Sequence, residues 1–198
     1  IIVSILISPY TNGFAFAKAP RDKGGWDAVA AAFKNLPATT EQVLHVEKYH
    51  AKEPAVPVPA IPSTTLGDSF SIGIDEPNGE LGLRILLEQW TTLKGGAHAA
   101  SGWGGDGLVV LQTKDAPKSY ALALYTGMES ATDAAEVANV FKTQLGSKCK
   151  ERKDLGPIAW RHRGKDVVLV AGPYKKDGAA FTSAGDCKPD RDFPIFLR

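Results

Sequence analysis

Alternating polar and apolar positions at residues 69–74, with Phe70, Ile72 and Ile74 on one side, predict a half-buried strand. A helical stripe follows. Leu83, Leu86, Leu87 and Trp90 recur on one face of residues 80–94, with Asn78 as candidate cap and Gly95-Gly96 as the stop. Residues 108–113 and 120–126 read as two strands joined by the hairpin-length loop 114–118. Ser130 followed by Asp133 is an acidic variant of the capping box. It opens a helix with Ala134, Val137, Phe141 and Leu145 inward and Gly146 at its end. A last hairpin pairs 158–162 with 167–171 through Arg163-Gly164-Lys165. The tail from Tyr174 is rich in Gly, Asp and Lys and reads as irregular, with Phe193, Ile195 and Phe196 available to tuck it down. The order β-α-β-β-α-β-β predicts an α+β domain: a twisted antiparallel sheet with two helices packed on one face.

Short helices are expected before this sheet. The apolar run Ile1-Ile2-Val3-Ser4-Ile5-Leu6-Ile7 reads as helical up to Pro9, with a continuation through 10–16. Gly24-Gly25 breaks the chain, and Trp26, Val29 and Phe33 then recur at helical spacing in an alanine-rich stretch that Pro37 ends. Thr39 or Thr40 is a cap for a short turn holding Glu41, Gln42 and Val43. Pro54, Pro57, Pro59 and Pro62 then exclude helix and predict an extended connection. The pattern divides into an N-terminal helical segment at 1–51, a Pro-rich linker at 52–67 and an antiparallel α+β domain at 68–198. The first apolar run falls short of the roughly 20 residues that span a bilayer. It also lacks the basic region that opens a signal peptide. It is expected to be the tail of a buried helix, so the partner it implies is either a missing N-terminal portion or another protein.

Charge narrows the partners further. The 23 basic and 22 acidic residues leave a formal net charge of +1, and the basic residues are scattered. Nucleic acid and anionic membranes both need clustered positive charge, so neither is expected. The densest basic run, 148–153, is interrupted by Cys149 and Glu151 and reads as a solvated loop. The two cysteines, Cys149 and Cys187, both sit in polar, loop-like surroundings. A disulfide tying the tail to the loop after the last helix would imply an oxidising, extracytoplasmic compartment; two exposed free thiols are the alternative.

Candidate chemistry is sparse. The four histidines form no His-Glu-x-x-His and no His-x-His, and the cysteines form no Cys-x-x-Cys. Glu41 and His45 would share one face if the segment stayed helical, as two candidate metal ligands needing a third from elsewhere. The alternative is a short helix and loop in which His45 bonds the backbone. No Gly-x-Ser-x-Gly elbow is present. The stretch Gly102-Trp103-Gly104-Gly105-Asp106-Gly107 leads into a strand rather than a helix, which matches neither a dinucleotide nor a phosphate loop. Trp103 and Asp106 there are either binding residues of an anion loop or parts of a structural turn. In the second case Trp103 plugs the core and Asp106 bonds the turn's own amides.

Several segments together carry a resemblance. Pro9-Tyr10-Thr11-Asn12-Gly13-Phe14, Gly24-Gly25-Trp26-Asp27-Ala28-Val29 and 40–49 (TEQVLHVEKY) come first, followed by Gly79-Glu80-Leu81-Gly82-Leu83-Arg84 and 100–106 (ASGWGGD). In this order and spacing they resemble bacterial secreted or lipid-anchored proteins of the gluzincin-type zinc-metallopeptidase-like class, over most of the chain up to about residue 171. The resemblance implies that the His-Glu-x-x-His-like segment lies upstream of the Pro9–Phe14 match. This chain would then hold no cofactor itself, and zinc would belong to a longer native protein. It also implies that Tyr10 and His45 border the cleft and stabilise an oxyanion. Val46 stands where the family usually has proline. Two readings follow: a non-catalytic C-terminal portion of an extracytoplasmic metallopeptidase-like protein, or a stand-alone binding or structural module docking through its apolar N-terminal run.

Overall fold

Two prolines do not stop the first helix. The computed structural model describes residues 2–89, 91–115, 119–145, 147, 158–177, 180–182 and 187–189, with backbone only at 93, 145 and from 174 onward. Helix α1 (Ile2–Lys34) carries Pro9 and Pro20 inside it and leaves helical geometry only at Gly24 and Gly25, where Gly25 takes φ 64°. The expected interruption at Pro9 is therefore absent. A proline removes one backbone bond, and local side chains support the turn around it: Thr11 Oγ1 donates to Ile7 O and Asn12 Nδ2 donates to Ser8 Oγ at 3.0 Å. The anticipated break at Gly24-Gly25 is present. The apolar positions beyond it stay in solvent, with Trp26 71% and Phe33 74% exposed.

The described chain is α+β and forms two units, Ile1–Ala55 with Gly79–Ser101 and Val56–Asn78 with Gly102–Arg198. The expected boundary region, 52–67, contains the first crossing between them. Residues 79–101, however, return to the helical unit, so the helix that opens at Gly79 is grouped with the N-terminal helices, while the helix at 131–140 stays in the sheet unit. The helical unit holds α1, α2 (Thr40–Leu44), α3 (Val46–Ala51), α4 (Gly79–Glu88) and α5 (Leu93–Ala100). Thr39 caps α2 by accepting from the Gln42 amide. Thr40 Oγ1 accepts from the Leu81 amide in the first turn of α4 at 3.2 Å. Gly79 (φ 70°) makes that approach workable, because a Cβ there would lie 2.4 Å from Thr40 Oγ1. Leu83, Ile85 and Leu87 are buried along α4. The Gly95-Gly96 pair does not end the helical region as expected. Thr92 caps a new helix there by accepting from the Gly95 amide. A Cβ on Gly96 would meet the Glu88 backbone at 2.8 Å, so the glycine permits α4 and α5 to pack closely.

The second unit is the sheet. Strands β1 (Phe70–Glu76), β2 (Trp103–Thr113), β3 (Ser119–Met128), β4 (Ile158–Arg163) and β5 (Asp166–Asp177) are antiparallel in the order β1-β2-β3-β5-β4. Ile72 and Ile74 were expected to face inward. They are 40% and 50% exposed, because β1 pairs only with β2 and carries a bulge between them. One face buries Val109, Leu111, Ala121, Ala123, Tyr125, Val168 and Val170 under Val58, Ile61 and Leu66 of the Pro-rich segment. That segment is thus a strap over the sheet rather than a free linker. Helix α6 (Ala131–Val140) packs across β3, β4 and β5. Ser130 caps it, accepting from the Asp133 amide while its hydroxyl donates to Asp133 Oδ2 at 2.6 Å, and Ala134, Val137 and Phe141 are buried as expected. The tail departs from the irregular expectation: β6 (Ala180–Thr182) pairs with β5, and β7 (Cys187–Pro189) runs parallel to β4. Leu145's side chain, Gly146, Phe193, Ile195 and Phe196 lie outside the described residues.

Candidate functional site

A cluster of charged side chains lies inside the helical unit, where α2, α3 and α4 meet. Helix α2 ends at Leu44 and His45 adopts an extended conformation (φ −126°, ψ 92°), serving as the C-cap of α2 and the N-cap of α3. The elbow breaks the i, i+4 relation between Glu41 and His45, and the two side chains take different partners. Lys48 Nζ donates to Glu41 Oε1 at 2.6 Å and lies 3.2 Å from Glu53 Oε1. His45 Nε2 lies 2.8 Å from Glu80 Oε1 in the first turn of α4, and its Nδ1 is 3.7 Å from Glu47. Gln42 secures the frame, accepting from the Ala38 amide and donating to the Glu53 carbonyl. Both carboxylates deep in the cluster are almost fully enclosed, Glu41 at 1% and Glu80 at 2% exposure. Glu41 and His45 therefore face different partners rather than converging on one point.

Burial pushes the Glu80 carboxyl above the ordinary value of 4.5. The hydrogen bond and charge of His45 work against that rise, Glu41 adds to it and Lys48 lowers it. Glu80 Oε2 is buried with no hydrogen-bond partner, which agrees with a carboxyl that holds its proton more readily than a solvated one. The ionised Glu80 carboxylate can accept from Nε2, and Nδ1 lies on the side of Glu47. The arrangement is a carboxylate–imidazole dyad held by two helices.

The sign of its pH dependence follows. A carboxyl whose folded-state pKa is raised contributes stability that is fully present below 4.5 and is lost as the pH rises through the folded value. Wild type and Glu80→Gln are therefore expected to diverge between pH 4.5 and neutrality, with wild type losing stability relative to the variant. Urea denaturation across that range measures the difference. A gap that moves the other way would mean that pairing with His45 outweighs burial.

The other candidates are placed as follows. Tyr10 projects from α1 at 80% exposure, and no hydrogen bond joins it to His45. Trp103 and Asp106 lie within strand β2 rather than in a turn. Trp103 is 2% exposed, and Asp106 Oδ1 accepts from the Asn78 amide at 3.0 Å. Asn78 stands directly before α4, at the position expected of its cap, and its amide is this donor. Cys149 lies outside the described residues, and the backbone of Cys187 pairs with Ile158. Glu80, Lys48 and Glu53 were not singled out from sequence. One signal was available: Glu80 stands three and seven residues before Leu83 and Leu87, so a charge occupies the apolar stripe of α4.

No helix among the described residues is long and apolar enough to cross a membrane. Neither a curated protein nor a solved structure matches the chain. A family model described as a domain of unknown function (DUF8575) matches residues 72–182, from β1 to the end of β6 and over more than half of the chain, and the chain belongs to that family.

Proposed function

We propose that this chain is a non-catalytic, protein-docking portion of an extracytoplasmic metallopeptidase-like protein. The observation that carries the reading is the face of α1. Ile2, Val3, Leu6, Tyr10 and Phe14 are each between 65% and 80% exposed, and Ile5 and Ile7 are about half exposed. Exposed apolar area on this scale marks an interaction surface. Ile2, Leu6, Tyr10 and Phe14 recur every four residues, the spacing by which a helix seats in an apolar groove. No charged residue occurs before Lys18. The face therefore suits an apolar protein groove better than an anionic lipid surface, which basic residues would recognise.

The metallopeptidase-like context rests on the resemblance of the segments at 9–14, 24–29, 40–49, 79–84 and 100–106, of which the first four belong to the helical unit that carries this face. The occupant is the polypeptide encoded upstream, bearing the zinc-binding helix. Co-expressed with that polypeptide as a separate chain, this one is expected to form a stable complex. Leu6→Glu combined with Phe14→Glu is expected to weaken it at least about tenfold while leaving the circular dichroism spectrum unchanged. An upstream sequence without His-Glu-x-x-His sinks the reading, as does stoichiometric zinc on this chain alone. Free thiols at Cys149 and Cys187 in protein from its native host would remove the support for an oxidising compartment. The exposed α1 face also serves the second reading, a stand-alone binding or structural module, which gains if the upstream polypeptide fails to bind.

A further inference from the structure

We propose that the cavity between the end of α1 and the α2–α3 elbow binds a carboxylate carried on a small apolar body. It is a groove of about 530 Å³ open to solvent, with Gln42 buried at its base and Leu36, Ala38, His50, Lys52 and Pro54 exposed around it. Leu36, Ala38 and Pro54 give it apolar walls, and Tyr49, His50 and Lys52 give it a ring and two nitrogen-bearing side chains. No acidic side chain lines it.

The hydrogen bonds around the cavity separate groups that shape it from groups available to a ligand. The Gln42 amide is engaged with Ala38 and Glu53. Tyr49 donates its hydroxyl to Asn35 O at 2.7 Å, and its ring meets Phe16 edge-on at 4.9 Å. These contacts fix the wall. Among the described residues, the Lys52 ammonium and the His50 ring nitrogens make no hydrogen bond or ion pair, although the His50 ring leans on Tyr49 at 5.4 Å. Lys52 also occupies the left-handed region (φ 53°, ψ 40°) as the C-cap of α3. Glycine adopts that conformation without steric cost, whereas lysine brings a charge to the cavity.

The donor set selects the ligand class. One fixed positive charge and one imidazole suit a monoanion. The planar fork of an arginine, which recognises phosphate bidentately, is absent from the lining. Two sources share this chemistry: a free carboxylic acid with an apolar side chain, and the C-terminal carboxylate of a peptide.

Titration calorimetry on the full chain tests the assignment with four probes: N-acetyl-leucine, its amide, and an Ala-Ala-Leu peptide with free or amidated terminus. Saturable binding of a free-acid probe is expected, with its amide at least about tenfold weaker. Lys52→Gly is expected to abolish binding without loss of stability, since glycine suits the backbone there. His50→Gln is expected to weaken binding less. Tighter binding of the peptide acid than of N-acetyl-leucine assigns the site to chain termini, and equal binding assigns it to small free acids. Absence of binding by either acid, equal binding of acid and amide, or a Lys52→Gly variant that binds like wild type overturns the proposal.

Discussion

Lys48→Met is expected to destabilise the chain by about 3–5 kcal/mol, the cost typical of removing one partner from a buried ion pair. The methionine keeps the length of the side-chain stem but deletes the ammonium that lies 2.6 Å from Glu41 and 3.2 Å from Glu53. Glu41 is 1% exposed, so water does not replace the lost charge at its carboxylate. The penalty is mainly that of a buried anion without its cation, and it should be recovered largely when Glu41→Gln is added. Chemical denaturation of wild type, both single variants and the double variant gives the coupling directly. A Lys48→Met cost below about 1 kcal/mol would place the pair among weak surface ion pairs and refute the account of the cluster as a buried network.

The second large effect lies in the sheet. A Cβ at Gly105 would stand 2.0 Å from the Val56 carbonyl oxygen and 3.0 Å from its carbon. Both are backbone atoms, so no side-chain rotation relieves the overlap. In Gly105→Ala the strap must withdraw. That breaks the bond from the Val56 amide to the Gly104 carbonyl at 2.7 Å and lifts Val58 and Ile61 from the buried sheet face. A cost of about 3 kcal/mol is expected, at the upper end for overpacking, and proteolytic cleavage within 56–66 should become faster. Gly107→Ala is the control. Its Cβ would meet only a Val58 methyl at 3.8 Å, an ordinary contact, so its effect should stay within about 0.5 kcal/mol. If the two substitutions behave alike, the strap does not determine the need for glycine at 105.

These two sites also show what local sequence carries. Strand β3 and helix α6 were legible because their signals are local: alternation, a serine cap and an apolar stripe. The glycine-rich stretch reads locally as an anion loop or a turn and is a strand, because its glycines answer to a strap that packs on them from about fifty residues earlier, while the burial of Trp103 is as the turn reading has it. Pro9 reads as an interruption before the continuation at 10–16 because the proline penalty is a local rule, while neighbouring Thr11 and Asn12 support an unbroken helix through it. The tail strands went unseen because short ladder segments beside β4 and β5 need little hydrophobic patterning of their own. At the candidate site His45 was found for its chemistry. Its partner Glu80, 35 positions away, was visible only as a charge in an apolar stripe.

The chain crosses between its two units three times, after Ala55, after Asn78 and after Ser101. Neither unit is therefore one continuous stretch of sequence. A recombination event that carried off the sheet as one continuous stretch would take α4 and α5 with it, and with them Glu80, leaving His45 behind. One that carried off the N-terminal helices would leave the partner of that histidine in the donor gene. Any continuous stretch long enough to hold one whole unit therefore carries part of the other, and the segment from 56 to 101 is where the two are interleaved.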